Sequence, residues 1–146
     1  MNDCQISLEP IYIGYVDGAF RHKQIIAFAD WVIYSPSSQL VSLGGACLGL
    51  ATNNIVEYSV LIELLFEAIS HGISHLMVKL DSHLMVSQLN GLYCVRNLMI
   101  FRKLLRVKLL ERLFQFITYV YIPRSLNNVS DAYTNYVLDW HIRHQQ

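Results

Sequence analysis

Apolar positions change their period near the middle of the chain. Residues 11–17 (IYIGYVD) are rich in β-forming residues and stop at Asp17-Gly18, a turn dipeptide. Residues 24–34 (QIIAFADWVIY) form a second apolar run closed by SPSS, and residues 40–48 (LVSLGGACL) form a third. The first half therefore predicts an antiparallel meander. From about Asn54 to Ser70 the apolar residues recur at Leu61, Leu64, Leu65 and Ala68, the spacing of a helix with one face on a core. HLMVKL (75–80) predicts a short buried strand, SHLMVSQLN (82–90) a short helix stopped by Gly91, and residues 98–114 a longer amphipathic helix. QFITYVYI (115–122) predicts the last strand before Pro123, and a final helix starts near Asn128. The order βββαβααβα implies an α/β fold with a five-stranded mixed sheet, its last two strands parallel to the first and its faces flanked by helices.

One position breaks the pattern. Counting back four from Leu61 reaches Glu57, so a carboxylate heads a stripe that should be buried, where an ionised group is unfavourable unless compensated. Three more acids stand at predicted element boundaries: Asp17, Asp81 and Asp131. Each has an ordinary structural reading. Asp17-Gly18 is a hairpin signal, Asn54 with Glu57 and Asn128 with Asp131 resemble capping boxes, and Asp81 or Ser82 serves as an N-cap. Together they say more. Asp17 and Asp81 end strands, while Glu57 and Asp131 fall in the first turns of helices packed on the sheet, so neighbouring first and fourth strands would bring all four to one edge. Four such charges repel unless cations neutralise them, and oxygen ligands without His or Cys suit Mg²⁺ or Mn²⁺. A pair of ions held this way serves phosphodiester hydrolysis.

Composition narrows the setting. The 146 residues suit one domain (1–146) with a loose leader over 1–9. With 53% hydrophobic and 15% charged residues the chain is a globule rather than a disordered segment, and its uncharged stretch, 31–56, is too interrupted by polar residues to span a membrane. Cys4, Cys47 and Cys94 are widely spaced and read as reduced packing residues; with no secretory signal, this places the protein inside the cell, in cytoplasm or nucleus. The six His show no zinc-ligand spacing, and His83 falls beside Asp81-Ser82. The zero net charge hides an asymmetry: residues 1–95 hold eight acids and three bases, residues 96–146 three acids and eight bases. Arg102 and Lys103, on the long helix, belong to a stretch that reads either as a solvated face or as a phosphate-binding surface.

The motifs YVDGA, ATNNIVEY, LDSHLMVSQLNG and YIPRSLNNVSDAYTNYV resemble, in order and spacing, type 1 ribonuclease H, over about residues 11–140. Within that family the chain is similar to archaeal-type enzymes and to the ribonuclease H domains of plant long-terminal-repeat retroelements. The resemblance implies a ribonuclease H-like fold and an endonuclease that cuts the RNA strand of RNA/DNA hybrids with two Mg²⁺ ions, Mn²⁺ being a substitute. It makes Asp17, Glu57, Asp81 and Asp131 the metal-binding catalytic set. It places Thr52, Asn53 and Asn54 on the hybrid, with Gly18 and Ser82 as flanking contacts. Arg124 stands where other members have a His and is implied to aid release of the cleaved phosphate. A basic protrusion found in many bacterial members is missing, SDAYTN replaces a more usual motif, and AFADW replaces a glycine-rich second strand. Two alternatives share the superfold: a catalytically degenerate module that binds nucleic acid or tethers a reverse-transcriptase polyprotein, and another metal nuclease such as a junction resolvase or exonuclease. The TNN motif favours the hybrid-cutting branch.

Overall fold

The computed structural model describes residues 9–21, 26–48 and 53–127. Five strands form one sheet in the order β3-β2-β1-β4-β5. They are β1 (Tyr12–Arg21), β2 (Ile26–Tyr34), β3 (Leu40–Leu48), β4 (His75–Leu80) and β5 (Phe116–Tyr121). The first three are antiparallel, and β4 and β5 run parallel to β1, as the order of elements requires. The helices are α1 (Asn53–Ser70), α2 (His83–Leu89) and α3 (Leu98–Glu111), with a 3₁₀ turn at Arg124–Leu126. The leader over 1–8 and the final helix from Asn128 lie outside the described residues.

The first strand differs from expectation. Asp17-Gly18 is not a turn: β1 continues to Arg21, and Asp17 pairs with Asp30 and Gly18 with Ala29. A turn dipeptide is a local signal, and the continuous ladder with β2 overrides it. This keeps Asp17 within the strand and paired with β2, one residue past the end of the ladder with β4 at Val16 and Leu80.

The core lies between the sheet and α1, whose Val56, Val60, Leu61, Leu64, Leu65 and Ala68 are fully buried against Val16, Ile33, Leu76 and Val78. The chain leaves α1 through Gly72 at φ +73°, with Ile73 N–H donating to Ala68 O and Gly72 N–H to Ile69 O. Gly91 at φ +75° ends α2 the same way. A left-handed residue at this place costs a glycine little. Ser82 caps α2 by accepting from Met85 N–H, and Asn97 caps α3 by accepting from Met99 and Ile100 N–H. Trp31 is buried, as a packing residue should be, and its Nε1 donates to Glu63 of α1 at 2.9 Å. Cys94 is exposed, contrary to its reading as a packing residue; it sits in the link between α2 and α3, which lies on the surface. Among the described residues no helix is long and apolar enough to cross a membrane.

Close approach fixes one glycine. A Cβ on Gly44 would sit 2.6 Å from Trp31 Cζ2, and the indole is held by Glu63. Gly44→Ala should lower the urea midpoint by an amount worth about 1–3 kcal/mol through overpacking, with a change in Trp31 fluorescence. An unchanged midpoint would show that the indole moves freely.

Candidate active site

The register of β1 decides where its side chains point. The bare faces of Gly14 and Gly18 look onto Leu64 and Glu57 of α1, so even-numbered residues face that helix and Asp17 faces the opposite side of the sheet. Asp30, directly across from Asp17 in an antiparallel pair, shares that side. In the parallel ladder Val16 pairs with Leu80, and Asp81, the next residue, continues toward the level of Asp17 on the neighbouring strand. The sheet thus carries Asp30, Asp17 and Asp81 on three adjacent chain segments, β2, β1 and the end of β4. The expected adjacency of first and fourth strands holds.

Glu57 arrives from α1. A Cβ on Gly18 would lie 2.8 Å from Glu57 Cγ and 2.9 Å from its Oε1, so the glycine makes room for the carboxylate over the strand. Helix α1 starts at Asn53 and has no acid in its first turn, so Glu57 lies in the second turn and is not a capping residue. It is 7% exposed, and burial first, then the charge of Asp81, push its pKa up to about 7, with Arg124 opposing the rise. Arg124 therefore lies within electrostatic reach of Glu57, and its Nη2 donates to Gly18 O at 3.4 Å.

Asn127, adjoining the 3₁₀ turn, was not foreseen as a site residue. It is buried, and its Nδ2 donates to Val16 O at 3.1 Å and to Asp81 Oδ2 at 3.4 Å, tying the end of β4 to β1. The PRxxN segment contains it, but nothing in that pattern distinguishes a buried Asn from a turn residue. The burial of Asp30 was not foreseen either; its signal is a lone carboxylate inside an apolar strand.

Both oxygens of Asp17 and Oε2 of Glu57 are buried without a hydrogen-bond partner. Leaving such groups unsatisfied costs several kcal/mol each unless a cation or donor compensates. All three are hard oxygen donors, the class that Mg²⁺ takes. Among the described residues no group of three or more His, Cys, Asp or Glu is close enough to hold an ion by itself. Asp131, expected as the fourth ligand, lies outside them, as do Thr52 and the side chain of Asn53. Asn54 is half-buried in the first turn of α1, and Ser82 is the α2 cap. His83 stacks on Tyr121 with ring centroids 3.4 Å apart. Arg102 and Lys103 stand elsewhere: with Met99 and Arg106 they line a hollow of about 200 Å³ along α3.

A family model described as reverse transcriptase-like matches residues 15–137. The ribonuclease HI of Halobacterium salinarum is 34% identical over 126 residues, 86% of this chain and 63% of that protein. The crystal structure of ribonuclease H1 from the same archaeon superposes with a TM-score of 0.80 at 33% identity, over 88% of this chain and 98% of that one. The chain belongs to the type 1 ribonuclease H family. LC11 ribonuclease H1, solved in complex with an RNA/DNA hybrid, is 26% identical with a TM-score of 0.80 over 90% of this chain and 99% of that one. The chain spans less than two thirds of the length of the Halobacterium protein. The family fold, with its mixed sheet and neighbouring first and fourth strands, is the one observed here.

The raised pKa of Glu57 makes stability depend on pH. Its folded value, about 7, exceeds the ordinary 4.5, so the folded state holds a proton that the unfolded state releases. The associated stability is full below about pH 4.5 and is lost as pH rises through about 7. In metal-free protein, Glu57→Gln should remove a fall of up to roughly 3 kcal/mol between those limits. Urea unfolding of both proteins in chelator, near pH 4.5 and near pH 8, measures it; parallel pH dependences would contradict the assignment.

Proposed function

We propose that the chain is an endonuclease that hydrolyses the RNA strand of RNA/DNA hybrids with two Mg²⁺ ions, Mn²⁺ serving as a substitute. The observation that carries this reading is the burial of partnerless oxygens on Asp17 and on Glu57, with Asp81 within electrostatic reach of Glu57. Asp17, Glu57, Asp81 and Asp131 are the residues that hold the ions. Bound divalent cations supply an activated water and neutralise the leaving oxygen. The LC11 relative, captured with a hybrid, supports the substrate class.

The chain's own groups have distinct tasks. Glu57, raised to about 7 without metal, must give up its proton to bind a cation, so metal affinity should increase with pH in that range. Asn127 fixes the Asp81 carboxylate against β1, limiting its motion before substrate arrives. Arg124, near Glu57 and bonded to the Gly18 carbonyl, puts a cation beside the carboxylates, where it assists departure of the cleaved phosphate. Thr52, Asn53 and Asn54, with Gly18 and Ser82, contact the hybrid backbone, reading shape and the RNA 2′-hydroxyl rather than base sequence. Arg102, Lys103 and Arg106 converge on one hollow, and none is in an ion pair with an acid among the described residues, which suits them to phosphates. Such an enzyme acts inside the cell, alone or within a reverse-transcriptase polyprotein, a setting the family match supports.

Purified protein incubated with labelled hybrid, duplex RNA and duplex DNA should cut only the RNA of the hybrid, and only with Mg²⁺ or Mn²⁺. Asp17→Asn should leave no detectable cleavage. A wild-type chain that binds hybrid without cutting it would favour the degenerate module instead.

Hybrid affinity should fall with rising salt because phosphate contacts release counterions. Arg102→Ala with Lys103→Ala should weaken binding about tenfold and reduce the logarithmic salt slope by about 1–2, while the cleavage positions stay the same. An unaltered slope would remove α3 from the binding surface.

A further inference from the structure

Helix α3 is apolar on two opposite faces. Ile100, Val107 and Leu110 are buried against the core. At 3.6 residues per turn, Val107 points about 180° away from Leu98, whereas Leu105 and Leu109 lie within about 20° of it. These three leucines are 61%, 47% and 60% exposed. Arg102 and Arg112 fall within about 40° of the same line and are exposed too. Arg112, the C-cap, keeps helical backbone angles and so continues the line.

The outward face therefore reads Leu98, Arg102, Leu105, Leu109, Arg112, at intervals of 4, 3, 4 and 3 residues. Single exposed leucines are ordinary, but a straight seam with this spacing is the pattern by which one helix packs along another. Phe101 and Leu113, both exposed, widen it. The seam runs for about 21 Å, with its two arginines about 15 Å apart along the axis.

Charge identifies the occupant. The only acid on α3, Glu111, is engaged by Lys108 and by the hydroxyl of Tyr119, whereas Arg102 and Arg112 are in no ion pair among the described residues. A second copy is a poor match: packed parallel in register it sets each arginine against itself, and packed antiparallel with Leu105 opposite Leu109 it sets Arg102 against Arg112. An anionic bilayer is a poor match too, because the arginines interleave with the leucines and would be drawn with them toward its apolar layer. A helix carrying carboxylates at the same spacing suits both residue types, since a guanidinium pairs bidentately with a carboxylate. We propose that the outward seam of α3 docks an amphipathic helix of a partner protein, with apolar side chains facing Leu98, Leu105 and Leu109 and carboxylates facing Arg102 and Arg112. Arg102 also lines the hollow proposed above for phosphate, so a docked helix and a bound hybrid share that residue.

The test uses the wild-type chain and synthetic helical peptides whose seam reads Leu-Glu-Leu-Leu-Glu at the same intervals, one for each chain direction, followed by fluorescence anisotropy. One of them should bind, and its counterpart with Lys for Glu should bind at least about tenfold more weakly. Leu105→Gln should weaken binding of the Glu peptide about tenfold, and Arg112→Glu should reverse the preference between the two peptides. Both residues are exposed and neither belongs to the proposed hybrid surface, so failure of that reading leaves this test intact. Failure of both Glu peptides to bind, or equal binding of the Glu and Lys peptides, overturns the inference, and the wild-type chain decides this even where a variant does not fold. An occupant of another kind overturns it as well: dimerisation or binding to phosphatidylserine vesicles that Leu105→Gln abolishes, or methyl contacts of Leu105 with residues 128–146 in the chain by itself.

Discussion

Burial of carboxylates at the level of Asp17 constrains the rest of this structure. A solvent-stripped carboxylate without a hydrogen-bond donor is among the least favourable groups a fold can contain, and here Asp17 is one such group and Glu57 approaches another. Several features follow from accommodating them. Gly18 lacks a side chain because Glu57 occupies that space, Asn127 spends both its amide hydrogens at the junction of β1 and β4, and Arg124 brings a positive charge to the same place. None of these adds to the apolar core. They fit the proposed site, whose negative charge a bound cation would balance.

The two proposed surfaces divide electrostatic labour. Asp17 and Glu57 sit buried on β1 and α1 and Asp81 directly follows β4, positions that restrict side-chain motion. Arg102 and Arg106, in no ion pair among the described residues, remain in solvent on α3, which its apolar residues Ile100, Val107 and Leu110 anchor. Rigid placement matters for chemistry, whereas long-range attraction to phosphate tolerates mobile side chains.

Much of this was legible in the sequence because the signals were periodic. The stripe Leu61, Leu64, Leu65 and Ala68 predicted α1 and its buried face, and counting along it exposed Glu57 as an anomaly that burial bears out. The described elements from α1 to β5 fell within a few residues of their expected bounds, with α3 ending at Glu111 rather than 114 because its last turn tightens before Phe116 joins Ser74. What failed were local signals overridden by tertiary pairing. Asp17-Gly18 reads as a turn in isolation yet is mid-strand; Asn54 and Glu57 read as a capping box, but the helix begins a residue earlier and carries Glu57 into its second turn. Asp30 was hidden by the same misreading, since a strand that stopped at Asp17 offers no register to place Asp30 across from it.

The proposed relief of these buried carboxylates by a bound cation is tested most directly by the melting temperatures of wild type and Asp17→Asn, each in chelator and in saturating Mg²⁺. The substitution keeps the size of the side chain and removes its charge. Wild type should gain about 5–10 °C with Mg²⁺, the variant should gain far less, and in chelator the variant should melt at or above the wild-type temperature. Equal stabilisation of both proteins by Mg²⁺, or a variant that melts well below wild type in chelator, would show that the Asp17 charge is not what a cation relieves.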